Sequence, residues 1–214
     1  INLNIPNLRF SNADAQGDVQ LKWQTASKPS PYPGVLDLQG QLSRADGARV
    51  YRYLPLGIDQ QVRDYLRQAI LTGKASAVKF KVKGNLHDFP FATAKQGDFR
   101  ITADVANATF AYAPAFLLAK DSLPWPVLAD LSGELVIDRS VLQVKGGSAG
   151  IAGAPGLRIG KVDAVVDSLY GGATVSVAAE AQGPLGDLLG VVNGSPLSPL
   201  MGKALDRATA SGVS

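Results

Sequence analysis

The sequence predicts a mainly β fold: a long antiparallel sheet with two or three short helices. Apolar and polar residues alternate over many short stretches, as in Val78-Lys79-Phe80-Lys81-Val82-Lys83, which is the pattern of a strand with one apolar face. Most turns between these stretches are too short for the helix that parallel strands would need. The tripeptide Gly-x-Leu recurs at intervals of 44, 49 and 50 residues, starting at Gly40, Gly84, Gly133 and Gly183. Such a period is typical of a repetitive array.

The predicted strands follow one another along most of the chain. We expect ten to twelve of them, the clearest being 3–10, 18–24, 36–42, 77–83, 99–105, 110–112, 133–138, 141–145, 162–166 and 175–181. Pro6 marks the first as an edge strand or a bulged strand, because proline cannot donate a hydrogen bond to a neighbour. A turn near Asn107 separates the fifth from the sixth. Two short apolar helices are expected near the end, over 184–192 and 199–208.

One segment has the period of an α-helix. Its apolar stripe falls at i, i+4, i+7, i+8, i+11 and i+12, and consists of Ile58, Val62, Tyr65, Leu66, Ala69 and Ile70. Asp59 stands near its start and Gly73 just beyond its end, where helix termini favour these residues. Arg63 lies on the solvent side, with Asp59 at i,i+4 spacing for an ion pair. We therefore predict a surface helix over 59–71, lying against the sheet.

The composition limits the function classes. The chain has 214 residues, of which 46% are hydrophobic and 18% charged, enough for a sizeable core. A net charge of +3 without a clustered basic face gives no reason to expect nucleic acid. The absence of cysteine excludes disulfides and thiolate metal sites. No apolar run reaches the 18 residues that a membrane-spanning helix needs. The chain starts inside an alternating stretch, so we expect it to be an excised piece of a longer protein.

The residues offer no constellation for catalysis. His87 is the only histidine and stands in a tight turn beside Asp88, where a structural role is expected. One histidine and no cysteine cannot supply a zinc site of the usual kind. The glycine-rich stretch 146–160 departs from a phosphate loop, because Gly160-Lys161 is followed by Val162 and a strand. We expect no enzyme activity, no metal and no cofactor.

A distinctive set of phrases resembles a known family. It consists of Tyr53-Leu54-Pro55-Leu56, Val62-Arg63-Asp64-Tyr65-Leu66, Ala69, Gly73 and Phe80-Lys81-Val82-Lys83-Gly84-Asn85-Leu86-His87-Asp88-Phe89-Pro90-Phe91. Further phrases are Trp125-Pro126, Gly133-Glu134-Leu135, Gly183-Pro184-Leu185-Gly186-Asp187-Leu188-Leu189 and Asn193-Gly194-Ser195-Pro196-Leu197. Over about residues 50 to 200 the chain resembles the YhdP family of AsmA-like envelope proteins of Gram-negative bacteria.

The resemblance implies a repeating β-groove: an elongated, curved antiparallel sheet, open like a taco, with an apolar concave side. It further implies a periplasmic fragment of a longer parent anchored in the inner membrane. The expected function is lipid binding and phospholipid transport between the inner and outer membranes, in outer membrane biogenesis. The expected partners are phospholipid acyl chains and, through parts of the parent outside this chain, both membranes. Approximate repeat units are 1–44, 45–97, 98–150 and 151–214, with the surface helix at 59–71.

The alternating apolar residues are the candidates for the lipid groove. They are Val78, Phe80, Val82, Phe99, Ile101, Ala103, Val105, Leu135, Ile137, Val162, Ala164, Val166, Val175, Val177 and Ala179. The same alternation would build the filled core of a sandwich or barrel. Small residues such as Ala103 and Ala164 leave room either for lipid or for a packed helix. The alternative function is therefore a non-catalytic scaffold for envelope assembly. Exposed strand edges lead us to expect that the fragment self-associates.

Overall fold

A computed structural model describes residues 1–55, 58–170, 172 and 174–200. Nine strands form one sheet in which every neighbouring pair is antiparallel and the spatial order is the chain order. The strands are β1 (Asn2–Ser11), β2 (Ala15–Gln24), β3 (Val35–Asp46), β4 (Ile70–Asn85), β5 (Gly97–Phe110), β6 (Leu128–Asp138), β7 (Val141–Ile151), β8 (Ala154–Val166) and β9 (Val175–Gln182). Among these described strands β1 and β9 do not pair, so the sheet is open and does not close into a barrel. The predicted mainly β, open antiparallel fold is confirmed.

Three short helices accompany the sheet: α1 (Gln60–Ala69), α2 (Leu185–Asn193) and α3 (Leu197–Leu200). The carboxylate of Asp59 caps α1 by accepting the backbone N–H of Gln61 at 2.7 Å. The helix ends two residues before the predicted boundary, because Ile70 adopts extended backbone and begins β4. The second helix fits the expectation for 184–192. Of the predicted helix 199–208, residues 201–208 lie outside the described residues.

The prediction that Arg63 faces solvent is wrong. Its side chain is half-buried, and its guanidinium donates hydrogen bonds to the backbone carbonyls of Tyr51 at 3.2 Å and Leu54 at 3.0 Å. It also donates to the carbonyl of Pro55. Arg63 thus ties α1 to the irregular segment that precedes the helix, because these carbonyls have no strand to pair with.

Bulges interrupt the alternation in five successive strands. One residue in each adopts φ between 48° and 56°, and these residues are Ala77, Asn107, Asp130, Gly146 and Lys161. Shifts of register accompany them. The expected turn near Asn107 is therefore a bulge inside β5, which merges two predicted strands into one. A bulge bends its strand and increases the local twist, so the series bends one half of the sheet.

The sheet has two rims, since successive connections of an antiparallel meander fall on opposite sides. We call the side with the connections after β2, β4, β6 and β8 the loop rim. The side with the connections after β1, β3, β5 and β7, and the segment that follows β9, is the helix rim. Helix α1 lies in the connection after β3, and helices α2 and α3 follow β9. All the α-helices described therefore lie at one rim, where α1 contacts β4 and α2 contacts β8.

Candidate functional site

Register places one apolar residue from every strand in a single row. The row reads Leu8, Val19, Gly40, Phe80, Ile101, Ile137, Leu142, Val166 and Val175. Directly paired residues of antiparallel strands point to the same side, so this row defines an apolar face. The other side, the polar face, carries cross-strand ion pairs, among them Lys83–Asp37 at 2.8 Å, Lys81–Asp98 at 2.7 Å and Arg100–Asp138 at 2.9 Å.

All fifteen groove candidates lie on the apolar face. Pairings such as Val82 with Phe99, Ala103 with Leu135 and Ala164 with Val177 place residues of different strands on one side. The bulges preserve this arrangement. At each bulge the alternation of apolar residues in the sequence shifts by one position, and the extra residue of the bulge keeps the apolar side chains beyond it on the same face. Beyond the bulge at Asn107, for example, Ala108 pairs with Leu131 and Phe110 pairs with Leu128.

The apolar face is open along its length. Of the candidates only Val78 and Ala103 are buried, and most others are half-buried. At the edge strand β9, Val175 and Val177 are each 62% exposed. Within the described part of the chain, substantial strand packing joins sequence neighbours only. A sandwich core would bury such residues almost completely, so no second sheet covers this face.

An aromatic group stands at the loop rim. Phe91 is fully buried, and its ring lies directly over two glycines: a Cβ at Gly84 would approach Phe91 Cε1 to 2.7 Å, and one at Gly97 would approach Cδ1 to 2.6 Å. The ring of Phe89 lies 5.0 Å from that of Phe99 and 5.7 Å from that of Phe91, between centroids. The paired residues Gly84 and Gly97 therefore leave the space that the Phe91 ring occupies, where β4 ends and β5 begins.

One aromatic contact joins two separate connections of the loop rim. The ring centroid of Phe89, in the connection after β4, lies 6.4 Å from that of Tyr170, in the connection after β8. Strands β5 and β8 are three strand spacings apart, about 14 Å in a flat sheet. The two connections therefore lean towards each other across the short turn after β6, where Leu169 donates its N–H to the carbonyl of Ser140 at 2.8 Å. Burial raises the pKa of Tyr170.

A second aromatic group stands at the helix rim. Tyr112 lies 6.5 Å from Phe110 and 5.9 Å from Trp125 between ring centroids. The hydroxyl of Tyr65, on α1, donates to the carbonyl of Tyr112 at 3.1 Å. Partial burial raises the pKa of both Tyr65 and Tyr112. The apolar face thus runs between two aromatic groups, one at each rim; we call the apolar face between these rims the trough.

The surface depressions of the sheet are wide and shallow. One of about 620 Å³ is lined by Phe10, Leu42 and Val78 of the apolar face together with polar neighbours. Another of about 540 Å³ lies mainly over polar-face residues such as Gln39 and Lys81. Neither is an enclosed pocket of the kind that holds a compact small molecule. The trough is therefore suited to a ligand that extends across several strands.

The histidine and the acidic residues form no metal-binding cluster in the described ranges. His87 is exposed, and its backbone N–H donates to Asn85 Oδ1 at 3.1 Å, as the predicted turn requires. No group of three or more histidine, cysteine, aspartate or glutamate residues there is placed to hold a metal ion. No helix among the described residues is long and apolar enough to cross a bilayer.

Sequence reasoning found the apolar face but missed its two aromatic groups. The signal was available, since Phe89, Phe91, Tyr112 and Trp125 all lie in or beside connections and three of them adjoin a proline. Alternation identifies only residues inside strands. The mutual contacts of aromatic residues in different connections depend on how far the connections lean over the sheet.

The open antiparallel sheet with one apolar face defines a class of single-layer β protein. Within that class the chain belongs to the YhdP family: a family model described as YhdP protein matches residues 1–214. The family is one of AsmA-like envelope proteins and is not known as enzymatic. No curated protein and no solved structure gives a significant match to the chain.

Proposed function

We propose that this chain is a segment of a periplasmic bridge that holds phospholipid acyl chains in the trough and supports phospholipid transport between the inner and outer membranes. The observation that carries the proposal is the row of apolar side chains that crosses nearly every strand and remains open. In this function the chain makes and breaks no covalent bond and needs no cofactor. Its parent is anchored in the inner membrane of a Gram-negative bacterium.

The energetics favour an apolar channel of this kind. An acyl chain of about 16 carbons costs on the order of 13 kcal/mol to expose to water, at roughly 0.8 kcal/mol per methylene group. A trough that shields most of this surface removes most of that barrier. Because the ion pairs lie on the polar face, an acyl chain in the trough would not have to desolvate them.

The dimensions also fit. Eight strand spacings of about 4.8 Å make the trough about 38 Å long. The hydrocarbon core of a bilayer, which holds two acyl chains end to end, is about 30 Å thick. The trough is therefore longer than one extended acyl chain, so a lipid bound in it could move along it while remaining shielded.

Native mass spectrometry with lipid extraction tests the proposal. We compare the wild-type chain with Ile101→Asp, on the apolar face, and with Thr102→Asp, its neighbour on the polar face. Phe80→Asp and Val177→Asp test other strands of the trough. Circular dichroism establishes that each variant is folded.

We expect phospholipid to co-purify with the wild type and with Thr102→Asp. The trough variants should lose at least about tenfold of it, because a buried carboxylate in contact with an acyl chain is strongly unfavourable. Lipid-free protein in every preparation would overturn the proposal and support the alternative, a non-catalytic scaffold for envelope assembly.

A further inference from the structure

The connection after β5 carries an exposed apolar segment on the helix rim. Residues 113–119 have no polar side chain, and the sequence there is Ala-Pro-Ala-Phe-Leu-Leu-Ala. Phe116 is 46% exposed and Leu117 is 57% exposed, and Leu123 in the same connection is exposed as well. Because three large apolar side chains in one connection face solvent, this segment is a candidate contact surface. We call residues 113–119 the tip.

A short turn pairs part of the tip backbone. Leu117 donates its N–H to the carbonyl of Pro114 at 2.9 Å, and Leu118 donates to Ala115 at 3.1 Å, in a short 3₁₀ turn. Ser122 donates to the carbonyl of Ala119 at 3.1 Å. A segment in the hydrocarbon core must pair its backbone groups internally, since each unpaired group there costs several kcal/mol. A tip with two internal backbone hydrogen bonds is therefore suited to the outer part of a bilayer and not to its centre.

The base of the connection is held firmly. Ala111 donates its N–H to the carbonyl of Ala69 at 2.8 Å, and Val127 accepts from the N–H of Ala152 at 2.9 Å. Tyr112 and Trp125 face each other between these anchors, with ring centroids 5.9 Å apart. Tyrosine and tryptophan prefer the boundary between hydrocarbon and water. Lys120 follows the tip directly, where its long side chain can reach lipid head groups.

We propose that this connection is a bilayer-docking loop: the tip inserts into the outer part of a phospholipid membrane, and the aromatic pair at its base sits at head-group level. The exposed apolar side chains of the tip, the aromatic pair at its base and the adjoining Lys120 together fit a lipid surface. The loop lies on the helix rim beside the trough. Docking does not depend on lipid capture in the trough, because the tip residues are not among those that line it.

Vesicle flotation tests the docking. The vesicles contain phosphatidylethanolamine and phosphatidylglycerol. We compare the wild-type chain with Phe116→Asp and Leu117→Asp. Leu169→Asp is the matched control, since Leu169 is a 40% exposed apolar residue on the opposite, loop rim. We expect the two tip variants to reduce the floated fraction at least about tenfold and the control to leave it unchanged. The tip side chains are already solvent-exposed, so these variants should remain folded.

The two tryptophans supply a second readout. Trp125 lies at the base of the loop, whereas Trp23 donates its indole N–H to the carbonyl of Pro33 at the loop rim. In Trp23→Phe protein, vesicles of chain-brominated phospholipid should quench Trp125, and Leu117→Asp should abolish this quenching. A wild-type chain that does not float, or tip variants that float as well as Leu169→Asp, would overturn the docking loop.

The failures of the two proposals are distinguishable. Ile101→Asp should lose co-purified lipid and still float with vesicles, because the loop is intact. Phe116→Asp should fail to float and still carry lipid, because the trough is intact. If the tip instead docked on a protein, neither vesicle flotation nor bromolipid quenching of Trp125 would be observed.

Discussion

Replacing Phe91 by alanine should loosen the hairpin of β4 and β5 more than any exposed aromatic replacement. The ring is fully buried and lies over Gly84 and Gly97, which have no side chains that could collapse into the space it leaves. Truncating a buried phenylalanine costs about 3–5 kcal/mol, and the cost is greatest where the site cannot relax. We therefore expect a value in the upper part of this range.

Hydrogen exchange measures this change locally. Each strand packs mainly against its sequence neighbours, so different strands can open with different free energies. For amides of β4 and β5 near Gly84 and Gly97, the loss of 3–5 kcal/mol corresponds to a fall in protection of roughly 10²- to 10³-fold or more, at about 1.4 kcal/mol per factor of ten. The readout is the exchange rate of these amides by mass spectrometry or NMR.

Phe116→Ala is the control, because Phe116 is exposed and stands on the other rim. It should change protection in β4 and β5 by less than about threefold, since exposed substitutions usually stay within about 0.5 kcal/mol. A folded Phe91→Ala protein whose protection falls less than tenfold would refute the reasoning, since the ring would then contribute little to the hairpin.

Two further predictions concern the edge of the sheet and the ionisation of the aromatic groups. Strand β9 pairs with β8 on one side only, and its outer edge has no partner among the described strands. It contains no proline, and Val177 is exposed on it, so Val177→Lys should lower the concentration-dependent self-association that we expect of the wild type, measured by sedimentation velocity. Leu8→Lys should do less, because Pro6 and a register shift already disrupt β1; equal effects would contradict an association through β9. Burial raises the folded-state pKa of Tyr112 above its unfolded value of about 10, so its stabilising contribution is complete below that pH and is lost as the pH rises through the folded pKa. The melting temperature should therefore fall between about pH 9 and pH 11, and less in Tyr112→Phe; an identical fall in both proteins would contradict this assignment.

The division of the chain into four repeat units stays a prediction. The four Gly-x-Leu glycines lie within β3, near the end of β4, within β6 and just after β9. Three of them, Gly84, Gly133 and Gly183, have φ near +150°, a conformation that favours glycine. Gly40 instead leaves space for a ring, because a Cβ there would approach Phe80 Cζ to 2.5 Å. The recurring tripeptide thus marks positions where a side chain is excluded, for more than one reason.

Boundaries were harder to predict than elements. The start of α1 was evident from Asp59, a local capping residue whose effect reaches only the next turn. Its end was not, because Ile70 continues the helical stripe and also fits a strand. Pairing decides the matter: Ile70 lies opposite Phe110 and Thr72 opposite Thr109 across β4 and β5. Such tertiary pairing overrides local preference in sheets.

The sequence alone determined which residues share a face, because alternation is a local property and side chains of a strand point to opposite sides in turn. The antiparallel strands and the common side of Phe80, Ile101 and Val177 follow from it. Tertiary structure alone decided that the face stays uncovered and is flanked by aromatic groups. The contact of Phe89 with Tyr170 joins the connection after β4 to the connection after β8. It forms because bulges bend the strands and the two connections lean towards each other. The bend accumulates over several strands, so no short stretch of the sequence predicts it.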